Sequence, residues 1–186
     1  FGATYIEPYA VNDSAKISYF TPRVSGFQLG LSYAPDANQD SNGLPNRDAA
    51  NTDYIMVGAN FKQKMGGMSV GISGGYGTVT DAAAGGVEPE ATSFGIKLGM
   101  GGISAGVSYA NFSDHGNKDQ EGINAGVAYS SGPMGVSLAY YHGEKDGNNG
   151  SATTLDGQAE RDVIHLSAKY AMGPGVTLAG TLGHDV

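Results

Sequence analysis

The segment Phe94-Gly95-Ile96-Lys97-Leu98-Gly99-Met100-Gly101-Gly102-Ile103-Ser104-Ala105-Gly106-Val107-Ser108-Tyr109 places an apolar residue at every second position on both sides of a Gly-Gly pair. A period of two belongs to a β-strand with one apolar face, because successive strand side chains point to opposite sides of the sheet. Two such runs joined by Gly-Gly read as a tight hairpin, since the favoured two-residue turns need positive φ and glycine adopts it without steric cost. One face of this hairpin is Phe, Ile, Leu, Met, Ala, Val and Tyr. The other is Gly and Ser with a single lysine, Lys97.

The same reading extends in both directions. Phe27, Leu29, Leu31 and Tyr33 alternate with Gln28, Gly30 and Ser32, and Ile55, Val57, Ala59 and Phe61 with Met56, Gly58, Asn60 and Lys62. Ile123 to Ser130, Val136 to Tyr141, Ile164 to Tyr170 and Val176 to Leu182 repeat the pattern, and 16–22 and 68–79 carry weaker versions of it. Short glycine turns fall near 23–26, 64–67, 99–102, 131–134 and 172–175, while long polar, mostly acidic loops fall near 36–52, 80–90, 113–120 and 145–160. The expected architecture is all-β, with about ten consecutive antiparallel strands over residues 15–186. All short turns lie at one end and all long loops at the other. Residues 1–14 contain Pro8 and no clean alternation, and read as irregular.

Composition narrows the function. The length of 186 residues allows a single domain. Thirty-one residues are Gly and 15% are charged, where an ordinary soluble domain carries roughly 7% glycine and about 25% charge. Without cysteine there is no disulfide framework, no thiol nucleophile and no Cys-based metal site. A formal charge of −8 with only 10 Lys and Arg makes nucleic acid an unexpected partner. No apolar run reaches the about 18 residues that a spanning helix needs. No cofactor is expected; the acidic loops offer hard oxygen ligands to a divalent cation, but none has EF-hand spacing, and solvation is the plainer reading.

Two architectures accommodate alternating strands: a soluble barrel or sandwich with the apolar face inward, and a membrane barrel with that face toward lipid. The face opposite the apolar stripe decides between them. A soluble sheet would present Lys, Glu, Arg and Thr to bulk water, whereas here that face is Gly, Ser, Ala and Asn with scattered lysines, a composition suited to a lumen. Aromatic placement points the same way. Tyr33, Tyr76, Tyr109 and Tyr140 lie toward the long-loop end and Tyr19, Phe61, Tyr129 and Tyr170 toward the short-turn end, all on the apolar parity. Two aromatic girdles flanking an aliphatic band are expected at the two interfaces of a membrane, although the strand propensity of tyrosine also favours such positions. The expected fold is a transmembrane antiparallel up-and-down β-barrel, closed because lipid cannot satisfy exposed backbone groups.

The phrase Lys-Ile-Ser-Tyr-Phe-Thr-Pro-Arg-Val-Ser-Gly-Phe-Gln-Leu-Gly-Leu-Ser-Tyr-Ala-Pro-Asp, Lys16 to Asp36, resembles the hairpin that follows the constriction loop in Gram-negative general porins of the alphaproteobacterial type. Gly132 to Glu144 and Ala168 to Gly180 resemble later hairpins of that family. The resemblance implies a sixteen-stranded, homotrimeric barrel of which this chain is a part, located in the bacterial outer membrane among its lipid and lipopolysaccharide. It also implies passive diffusion of ions and small hydrophilic solutes through a water-filled pore. Residues 1–14 would be the tail of the constriction loop, with Glu7 and Asp13 among its acids. Lys16, Lys62, Lys97 and Lys169 would face them from the pore wall. The sequence departs from the family in ending on Val186 rather than an aromatic, and in lacking a counterpart of the first strands. A complete ten-stranded barrel stays open as an alternative. So do an outer-membrane barrel enzyme, protease or lipid hydrolase, and a closed structural or adhesive barrel. For the enzyme only His142 with Glu144 lies near a rim, and neither H-E-x-x-H nor G-x-S-x-G occurs.

Overall fold

The computed structural model describes residues 14–36, 51–82, 88–113, 119–146 and 158–186. They form the strands β1 (Ile17–Phe20), β2 (Phe27–Asp36), β3 (Asn51–Met65), β4 (Met68–Ala82), β5 (Glu90–Met100), β6 (Ile103–Ser113), β7 (Gln120–Ser131), β8 (Met134–Asp146), β9 (Gln158–Gly173) and β10 (Val176–Asp185). These pair in sequence order in one antiparallel sheet, the up-and-down meander expected from the alternation. No helix occurs among the described residues. β1 is shorter than the alternating run 16–22. Thr21 still donates its N–H to Leu29 O, but Pro22 has no N–H and ends the ladder, and Lys16 lies just before the strand.

The short turns follow from local chemistry. Gly66 and Gly67 have φ of 54° and 85°, and Gly101 and Gly102 of 58° and 84°, both pairs matching the type I′ turn whose twist suits a hairpin. The first turn uses Ser25 at φ 49° before Gly26 at 91°, so there a residue with a Cβ takes a left-handed conformation.

The two faces differ as a soluble sheet's would not. The apolar face is open, with Leu29 58% and Leu138 48% exposed. The opposite face is concave and lines a trough of about 850 Å³ floored largely by Gly, Ser and Asn. Among the described residues the buried apolar side chains are Ala34, Tyr54, Val79, Ala110, Phe112 and Tyr141. All six share the concave parity and sit toward the long-loop end. The large hydrophobics therefore point away from the small core.

Register sets the tilt. Tyr33 is opposite Ile55, Tyr76 opposite Val57, Tyr109 shares the rung of Ala59 through Phe94 and Gly74, and Tyr140 shares the rung of Phe61 through Ala125, Val107, Ile96 and Ile72. Each tyrosine thus lies two residues further along the ladder for every two strands crossed. At the other end, Tyr129 is on the rung of Met65, four residues beyond Phe61 over four strands. Tyr170, opposite Met134, is two further over two strands. A step of one residue per strand, about 3.3 Å of rise against about 4.8 Å of spacing, corresponds to a tilt of about 35°, that of a closed barrel. β1 and β10 make no contact with each other, so each keeps an open edge among the described strands.

Candidate functional site

The concave wall is organised by rungs. Lys62 is opposite Gly71, and Gly71 is opposite Lys97, so the two lysines flank one glycine from strands on either side. The same rung continues through Gly106, Gly126 and Ala139 to His165. Lys64 lies two residues from Lys62 on the same face, opposite Ser69. Lys62, Lys64 and Lys97 line the trough together with Asn60, Ser73 and Asn124, and no carboxylate is among the described residues that line it. The neighbouring rung carries Gln28, Asn60, Ser73, Gly95, Ser108 and Asn124.

Arg23 joins this wall from the first turn. Its guanidinium donates to Gly26 O at 2.6 Å, to Gln28 Oε1 at 2.8 Å and to Asn60 Oδ1 at 2.5 Å. The backbone supports the placement, since Lys62 N–H bonds Gly26 O at 2.8 Å. Sequence reading places Arg23 in a turn and finds no role for it, because its partner Asn60 is 37 residues away. Lys64 is missed for a related reason: it abuts the turn, where alternation no longer assigns a face.

The other expected wall residues are spread apart. Lys169 shares the inward face opposite Gly135, four strands from Lys97. Lys16 stands before β1 at the long-loop end, where Ile17 is opposite Tyr33. Glu7 and Asp13 lie outside the described residues, as does nearly all of the segment 1–14.

Charge is sorted by face. Within β3 to β9 every basic residue, Lys62, Lys64, Lys97, Lys145, Arg161 and Lys169, takes the concave parity. Glu90, Glu121, Glu144, Glu160 and Asp162 take the apolar parity, beyond the upper tyrosines. The concave carboxylates with described side chains are Asp36 and Asp185. Asp185 accepts from Arg161 Nε at 2.9 Å.

On the outer face the upper tyrosines share one device. Tyr33 donates to Asp53, Tyr76 to Glu90 at 2.7 Å, Tyr109 to Glu121 at 2.5 Å and Tyr140 to Asp162 at 2.6 Å. Each acceptor is on the following strand, displaced toward the long loops. At the short-turn end Phe27 and Phe61 pack with ring centroids 4.7 Å apart. His142 lies between Asp162 at 3.1 Å and Glu144 at 3.2 Å. This His–carboxylate group is on the outer face, turned away from the trough.

A model of the family described as Gram-negative porin matches residues 2–185. The chain belongs to that family. This porin is 22% identical over 259 residues to a protein of Rickettsia conorii, RC0098, covering 96% of this chain and 59% of the relative. A Rickettsia typhi protein, RT0064, matches at the same identity and coverage. The chain therefore spans about 59% of the length of these curated relatives. Among solved structures it is similar to OmpT, an outer membrane protein of Vibrio cholerae, with a TM-score of 0.59 at 15% identity, covering 100% of this chain and 59% of that one. It is also similar to an anion-selective porin from Comamonas acidovorans, with a TM-score of 0.57 at 19% identity, covering 91% and 48%. At these identities the structures share the fold. The porin is a β-barrel protein of the bacterial outer membrane.

Proposed function

We propose that this chain forms part of the wall of a water-filled outer-membrane pore that passes ions and small hydrophilic solutes by passive diffusion. The observation that carries the reading is the pairing of an exposed apolar face with a concave face of glycine, small polar residues and lysines. Such a wall stays wet while its outside meets lipid. Tyr33, Tyr76, Tyr109 and Tyr140 mark one membrane boundary and Tyr19, Phe61, Tyr129 and Tyr170 the other, with lipopolysaccharide bordering the long-loop rim. The open edges of β1 and β10 are paired by further strands of the same barrel, since an unpaired edge is not tolerated in lipid. Coverage of 59% of the relatives' length supports sixteen strands in all. The family resemblance supports a homotrimer, in which Glu7 and Asp13 stand across the pore from the wall lysines. The full-length protein reconstituted into liposomes should make them swell in isotonic small sugars and leave them unswollen in large dextrans. Folded protein that admits neither sugar sinks the reading in favour of a closed barrel.

A further inference from the structure

A chain with a net charge of −8 would be expected to favour cations, yet a pore selects by its wall and not by its total charge. Every basic residue within β3 to β9 takes the concave parity, and the acidic residues are concentrated on the outer face at the long-loop end. Among the described residues the concave acids are few and remote from the trough. Asp36 lies at the far end of β2, the register position of Asp81 is opposite Thr52 at the same end, and Asp185 is engaged by Arg161. Toward the short-turn end the described wall carries Arg23, Lys62, Lys64, Lys97 and Lys169 without a facing carboxylate among the described residues.

We propose that this wall selects anions, and that the rung Lys62–Gly71–Lys97 is its binding element for small oxyanions of the phosphate and carboxylate class. The inference rests on the pore reading and extends it. Two lysines two strands apart stand with Cα atoms about 10 Å apart, and both line the trough together with the glycine between them. Gly71 contributes no side chain to block the space. A Cβ there would meet nothing nearer than Lys97 O at 3.8 Å. Neither ammonium makes an ion pair with a described residue. Lys64 adds a third cation on the same strand. Arg23 adds a fourth whose position is fixed by its bonds to Gly26, Gln28 and Asn60, and a pre-positioned guanidinium suits an oxyanion. Weak, multi-point binding of this kind lets an ion enter and also leave.

The test uses the full-length protein in planar bilayers under a KCl gradient. The zero-current potential should have the sign of chloride permeating faster than potassium, and millimolar inorganic phosphate should reduce the chloride current. Lys62→Gln combined with Lys97→Gln should move the potential toward or through zero and abolish the phosphate effect. Gly71→Glu, which keeps both lysines and has room for its side chain, should do the same. Glu121→Gln on the outer face should change neither. Open channels that prefer potassium, or a potential unmoved by both wall variants, overturn the anion assignment while leaving the pore intact. Folded protein without channels overturns the pore reading itself.

Discussion

Three residues show how much of the wall is decided position by position. Ser25 occupies the first position of the β1–β2 turn at φ 49°, where the other matching turns use glycine. An L-residue in this region crowds its Cβ against the carbonyl, at a cost of roughly 1 kcal/mol. Ser25→Gly should therefore raise the unfolding free energy of the refolded barrel by an amount of that order, read from the urea transition in vesicles; a lower value would show that the turn is not strained. Gly30 is small for a different reason. A Cβ there would lie 2.8 Å from the Phe20 ring, which covers the glycine on the concave side. Arg23 is a turn residue by sequence and a wall residue in the fold, because register brings Asn60 beside it. Alternation reports faces, and it cannot report a contact made by a turn with a strand two hairpins' length away.

At the scale of the element, the strands were legible because their signal is local. A period of two and paired glycines are contained within about ten residues each, so strand order, turn positions and face assignment all follow from reading one hairpin at a time. Register across many strands is not local. It brings Lys62 and Lys97 to one glycine and leaves Lys16 and Lys169 apart, and the four lysines looked equivalent by parity alone. The tyrosine–carboxylate pairs are intermediate. Tyr33, Tyr76, Tyr109 and Tyr140 were visible as a set, and acids at the starts of the following strands, Glu90, Glu121 and Asp162 among them, were visible as loop acidity. Only the tilt joins each hydroxyl to its acceptor. These four pairs stand on successive hairpins and share no partner, so their contributions should add. Tyr109→Phe should lower the unfolding midpoint slightly, and the quadruple Tyr→Phe variant should lower it by close to the sum of the four single effects. A quadruple variant no less stable than Tyr109→Phe alone would mean that the other three pairs carry no hydrogen-bond energy.

At the scale of the whole molecule, the inversion of inside and outside has consequences that neighbouring residues can separate. Leu138 and Ala139 are adjacent on β8 and face opposite ways. Leu138 is 48% exposed on the apolar face and shares a rung with Val127, Ala105, Leu98 and Val70. Corrected for one residue of stagger per strand, that position falls between the upper and lower aromatic lines. Ala139 is opposite Gly126 and His165 on the concave wall. An arginine at the lipid-facing midplane of a barrel costs about 2–4 kcal/mol, and the cost falls toward the interfaces. Leu138→Arg should therefore destabilise the folded barrel by that amount in a urea titration against vesicles. Ala139→Arg should change stability by less than about 0.5 kcal/mol, as a surface substitution does. Its effect should appear instead in conduction. A further cation on a wall that already carries Lys62 and Lys97 should raise chloride preference, most clearly at low ionic strength, where the screening length is about 30 Å at 0.01 M and falls to about 3 Å at 1 M. A soluble sandwich burying its apolar face would separate the two variants differently: Leu138→Arg would be disruptive in water as well as in lipid, and Ala139→Arg would have no electrical signature. Equal stability losses at the two positions would show that these faces do not meet different solvents.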